Sequence, residues 1–183
     1  MTADDERKMK IAARRLSFYV ENGALARRTF GDGYKVACLV SAMHPTAKCG
    51  NCPAWMMPEW FSYLAVWIDD FATNGRWNGF VSRFAAAAHR WHALGNEGWD
   101  RLERRIRTLF GADLSLGSTE SAYYIVSRNS QINEKTDAAI TAVLDLLEDE
   151  ISNSEAVDMS QYQPKKEEKA EAQPAYVLDL GGK

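Results

Sequence analysis

Apolar residues recur at intervals of three and four along most of this chain, the spacing of helices that bury one face. The first run is Met9, Ala12, Ala13, Leu16, Tyr19 and Val20, stopped by Asn22-Gly23. Gly31-Asp32-Gly33 then signals a turn. The short run Val36-Ala37-Cys38-Leu39-Val40 fits either a strand or a buried helical turn. The strongest pattern follows. Trp60, Phe61, Leu64, Trp67, Ile68 and Phe71 form one stripe, with Glu59, Ser62, Asp69 and Asp70 on the other face. Proline is tolerated in a first turn, which places the start of this helix between Pro53 and Pro58.

Beyond Asn74-Gly75 a further helix reads Trp77, Phe80, Val81, Phe84, Ala88 and Trp91, and Gly95 and Gly98 bracket a short connection. Trp99, Leu102, Ile106 and Leu109 mark the next helix, whose outer face carries Arg101, Arg104 and Arg105. Gly111 and Gly117 flank a loop, and Ser118 is placed to cap a helix holding Ala122, Ile125 and Val126. Asn133 is placed to cap the last helix, whose stripe is Ile140, Val143, Leu144, Leu147 and Ile151. No hairpin dipeptide separates alternating runs, and no repeat of about 20 to 50 residues is visible. The pattern predicts an all-α fold: a compact bundle of about six helices over residues 1–151, with an extended polar C-terminal tail.

That tail, 152–183, changes character. NSEAVDMSQYQPKKEEKAEAQP has almost no large apolar residues and mixes both charges, the composition of a solvated linker. Apolar residues return in AYVLDLGGK, at Tyr176, Val177, Leu178 and Leu180. A polar tether tipped with a short apolar motif suits partner capture by strand addition or groove docking. The other reading is a tail that folds back on its own domain.

Charge and composition narrow the classes. A net charge of −3 lacks the positive excess of a general nucleic-acid coat. No apolar run approaches the roughly 18 to 20 residues that span a bilayer. The N-terminus, MTADDERKMK, has no apolar secretory region, so the chain reads as cytoplasmic. There is no G-x-S-x-G elbow, P-loop, G-x-G-x-x-G or H-E-x-x-H, which shifts the reading from enzyme to binding protein.

Candidate chemistry gathers in KVACLVSAMHPTAKCGNCPAW, which holds all three cysteines. Cys38, His44, Cys49 and Cys52 supply the donors of a Cys3His zinc site, two of them on one tight turn. Against zinc, Cys38 lies in an apolar run, where a free cysteine packs as a small hydrophobe. Cys49-Gly50-Asn51-Cys52 precedes a helix, a setting that lowers a thiol pKa, yet the strand context of thioredoxin-type exchange is missing. A disulfide and plain reduced thiols complete the alternatives. His89 and His92, at i and i+3, read as packing and solvated residues before they read as metal ligands. Asp69-Asp70 point about 100° apart on a helix, so an ion-pair network with Arg83, Arg90, Arg101, Arg104 or Arg105 comes before a catalytic pair. Acids at Glu97, Asp100 and Glu103 interleave with the arginine face, favouring helix salt bridges over phosphate contact. Trp60, Trp67, Trp77, Trp91 and Trp99 fall on inward stripes; Trp55 does not, and is the candidate exposed anchor.

The strings ACLVSA, CPAWMMPEW, WIDD and RFAAAAHRWHALGNEGWDRL resemble an uncharacterised group of short helical proteins from alphaproteobacterial genomes and their phages. The resemblance covers about a third of the chain and brings no activity and no site residue with it. It implies a phage or prophage setting, and hence a virion as the alternative location. The leading expectation is a non-enzymatic interaction or assembly protein with a protein partner or a second copy of itself. Trp55, Tyr176, Val177, Leu178 and Leu180 are its contact candidates. The runner-up is a small zinc or thiol–disulfide protein, and nucleic-acid binding comes third.

Overall fold

The computed structural model describes residues 2–28, 35, 37–111, 128 and 131–161. The fold is all-α. Among the described residues there are six α-helices: α1 (Ala3–Glu21), α2 (Leu39–Met43), α3 (Glu59–Phe71), α4 (Asn74–Ala88), α5 (Gly95–Leu109) and α6 (Glu134–Gln161). A single 3-10 turn, Trp91–Leu94, leads directly into α5. The predicted helix around Ala122, Ile125 and Val126 and the AYVLDL motif lie outside the described residues.

Local chemistry explains the starts and stops. Thr2 and Asp5 form a capping box at α1: the Asp5 amide donates to Thr2 Oγ1, and the Thr2 amide donates back to Asp5 Oδ2, both at 3.1 Å. The ambiguous run is divided: Ala37 makes an isolated bridge to Leu25, Cys38 is the N-cap of α2 with its Sγ accepting from the Ser41 amide, and Leu39 and Val40 open the helix. Helix α3 begins directly after Pro58, which fixes the entry and provides no side-chain cap. Asn133 Oδ1 accepts from the Thr136 amide at 3.0 Å, the cap expected for α6.

Helix α3 is the axis of the core. Trp60, Phe61, Leu64, Ala65, Trp67 and Ile68 are all buried, and Ser62 and Asp69 on its polar side are buried as well. Phe61 stacks on Phe84 of α4 at 5.9 Å and meets Trp91 edge-on at 5.8 Å. It also lies 5.0 Å from Trp99 of α5. Helix α1 covers one flank with Met9, Ala12, Ala13, Leu16 and Tyr19, and α6 another with Ile140, Val143, Leu144, Leu147 and Ile151. One apolar cluster joins them all.

Several local readings differ. Leu109, expected on the inward stripe of α5, is 47% exposed, and α3 begins at Glu59, just beyond the interval from Pro53 to Pro58. Gly95 and Gly98 do not bracket a connection: α5 begins at Gly95, and Gly98 lies within it against Ser154 of α6. Trp91 belongs to the 3-10 turn, not to α4. Trp77 is half-buried, with the Arg27 guanidinium over its ring at 5.5 Å. The last helix continues through the polar stretch after Ile151 to Gln161, because Ser154 is buried against α5 and Glu155 pairs with Arg90.

Candidate functional site

The cysteine segment folds as a connector fastened to α3. Lys48 and Asn51 close a turn, and Gly50 in it takes φ +70°. The Gly50 amide donates to Ser62 Oγ at 2.8 Å, and Ser62 Oγ donates to the Glu59 carbonyl at 2.7 Å. The positive φ favours glycine at position 50, and a Cβ there would also push the Tyr63 hydroxyl aside. Cys38, Cys49 and Cys52 are all free thiols. Burial pushes both Cys49 and Cys52 up to about 11, away from the reactive thiolate.

Three of the four predicted zinc donors make local contacts of their own. Cys38 is buried and turned to Ser41, with Sγ 3.3 Å from its Oγ. Cys52 Sγ donates to the Lys48 carbonyl at 3.3 Å. His44 lies 3.0 Å from Thr46 Oγ1 through Nδ1 and sets its ring edgewise to Trp55 at 5.8 Å. Among the described residues no group of three or more His, Cys, Asp or Glu side chains is arranged to hold a metal ion.

The acidic pair at the end of α3 finds other partners than the arginines its position suggested. Asp69 is buried, accepting from Trp77 Nε1 at 2.9 Å and from the Leu39 amide at 3.3 Å. Arg27 caps the helix end, donating to the carbonyls of Asp69, Asp70 and Ala72. Asp70 accepts from the Arg28 amide at 2.8 Å. The later arginines turn to α6 instead: Arg83 to Asp145 and Glu148, Arg90 to Glu155, Arg101 to Glu150, and Arg105 to Asp149 and Glu150. Two of the expected helix salt bridges form as well, Arg101–Glu97 and Arg107–Glu103. His89 bonds Ser17 Oγ at 2.9 Å.

Trp55 is half-buried, not a protruding anchor, and it stands between two cavities that share α1 as a wall. On one side a cavity of about 360 Å³ is lined by Trp55, Trp91, Trp99, Met9, Met56 and Asp5, with His92, Gly95 and Asn96 beside them. On the other, one of about 390 Å³ is lined by Lys8, Ile11, Arg15, Met43, His44 and Pro45. Both volumes fall in the range of ligand pockets.

Helix α1 also carries a second, outward stripe that the inward pattern masked. Ile11 and Phe18 are each 59% exposed. They stand two turns apart on one side of the helix, with Arg7 and Arg14 completing a spacing of four, three and four. No family model, curated protein or solved structure matches the chain.

Proposed function

We propose that this chain is a non-enzymatic component of a protein assembly, and that α1 is its contact helix. The observation that carries this is the outward stripe Arg7, Ile11, Arg14 and Phe18, on a helix whose opposite face is already committed to the core. Apolar residues exposed at heptad spacing on a well-anchored helix are the mark of a helix-packing surface. Two copies pairing in parallel through the same stripe would set Arg14 against Arg14, whereas an antiparallel two-fold pair would set Arg14 against Ile11 and Arg7 against Phe18. A head-to-tail contact is the other arrangement, in which the stripe meets a different face of the neighbouring copy and acidic residues can stand opposite the arginines. Head-to-tail contacts propagate or close into rings, as an assembly component requires. A phage or prophage setting, suggested by the resemblance alone, suits such a component; cytoplasm and virion both accommodate it.

Mass in solution tests the reading. Light scattering on the purified chain should give more than the 20.6 kDa of one copy, increasing with concentration. Phe18→Asp should return it to one copy while leaving the helical circular dichroism unchanged. A wild-type chain that stays at one copy at high concentration overturns the self-assembly proposal.

A further inference from the structure

The cavity on the Asp5 side of Trp55 has a chemistry that neither the helix stripe nor the cysteine segment uses. We propose that it is a binding site for an alkylammonium head group, held against the indoles of Trp55 and Trp99 over the buried Trp91, with the Asp5 carboxylate as counter-charge. Cations are attracted to the faces of aromatic rings, and tryptophan is the strongest partner. Trp91 and Trp99 pack edge-on at 5.7 Å; Trp91, 1% exposed, closes the floor of the cavity, and the half-buried Trp99 and Trp55 line its sides. Met9 and Met56 add polarisable surface suited to methyl groups. The volume of about 360 Å³ admits a ligand of that size.

Charge selects the sign of the ligand. Asp5 takes both of its hydrogen-bonding partners on Oδ2, from Thr2, and among the described residues it joins no ion pair. Those bonds keep its carboxyl below the usual range, hence ionised. The neighbouring acids are already engaged, Glu6 by Lys10 and Glu155 by Arg90. An ionised carboxylate beside an aromatic cavity favours a cation over an anion or a neutral hydrocarbon. This site is independent of the proposed assembly stripe, since Ile11 and Phe18 do not line it.

Tryptophan fluorescence titrations of the full chain would test it with three probes: choline, a short peptide bearing trimethyllysine, and 3,3-dimethylbutan-1-ol, which copies choline without its charge. Saturable binding of choline supports a free small cation, and of the peptide alone a methylated protein side chain. Asp5→Asn and Trp55→Leu should each weaken that binding by about three- to thirty-fold. Asp5→Asn preserves an acceptor for Thr2 and so keeps the test open if the tryptophan variant fails to fold. Binding of neither cation, equal binding of the neutral analogue, or indifference to Asp5→Asn overturns the proposal.

Discussion

Asp69 ends the buried side of α3 with the Trp77 indole N–H and the Leu39 amide on its two oxygens. Burial pushes its carboxyl up to about 6 from an ordinary 3.8, against the pull of those hydrogen bonds. The unfolded chain titrates near the ordinary value, so between the two the folded state holds the proton more tightly and acid favours folding. Urea denaturation of wild type and Asp69→Asn should therefore diverge with pH. The stability of wild type relative to the variant should rise as pH falls from about 7 to about 4, by about 3 kcal/mol at most. A pH-independent difference would mean that Asp69 ionises normally. The thiols allow a similar single-residue test. With Cys49 and Cys52 at about 11, Ellman's reagent should react slowly with the native chain and count three thiols per chain in denaturant. One zinc per chain in the same sample would support the zinc reading, and one thiol in place of three the disulfide reading. Residue types and spacing showed where sulfur chemistry was conceivable. They did not show that Cys38 turns to Ser41 while Cys52 turns to Lys48, because side-chain direction depends on how the connector docks on α3.

Helix α6 is strapped to its neighbours by arginines, and the straps are unequal. Arg83 and Arg90 meet partly exposed acids, pairs of a kind worth little in water. Glu150 differs: its side chain is 4% exposed and accepts from both Arg101 and Arg105. Glu150→Gln releases two arginines that are already 43% and 37% exposed and can reach solvent. Replacing both arginines by methionine leaves a buried carboxylate without a partner. The double variant should lose about 3 kcal/mol in chemical denaturation and Glu150→Gln only about 1 kcal/mol. Equal losses would place Glu150 in contact with water. At this scale helix existence was legible in the apolar spacing, and the α1 and α6 stripes were read correctly residue by residue. Pairing was not. The acids that meet Arg83, Arg101 and Arg105 stand 44 to 65 residues away, beyond the reach of any local pattern. The continuation of α6 past Ile151 depends on the same tertiary partners, Ser154 against Gly98 and Glu155 on Arg90. The cavity-lining tryptophans Trp91 and Trp99 were legible only as core residues, since periodicity cannot tell a ring that fills the core from one that also lines a cavity.

The molecule as a whole has one apolar cluster to which all six described helices contribute. Phe61 is its junction, fully buried and in ring contact with α4, the 3-10 turn and α5 at once. Helix α1 is tied to the same centre, where Trp91 Nε1 donates to Met9 Sδ at 3.0 Å. No described helix can leave without exposing apolar surface on a neighbour, so partial unfolding gains little chain entropy for the burial it forfeits. Tryptophan fluorescence, which reports the α3–α5 centre, and far-ultraviolet circular dichroism, which reports every helix, should therefore share one denaturant midpoint. Phe61→Ala should lower both midpoints together, by a stability loss of about 3 to 5 kcal/mol. If helicity falls before fluorescence, α1 is a separable layer, and the contact helix of the proposed assembly would lose the rigid backing that makes its outward stripe a defined surface.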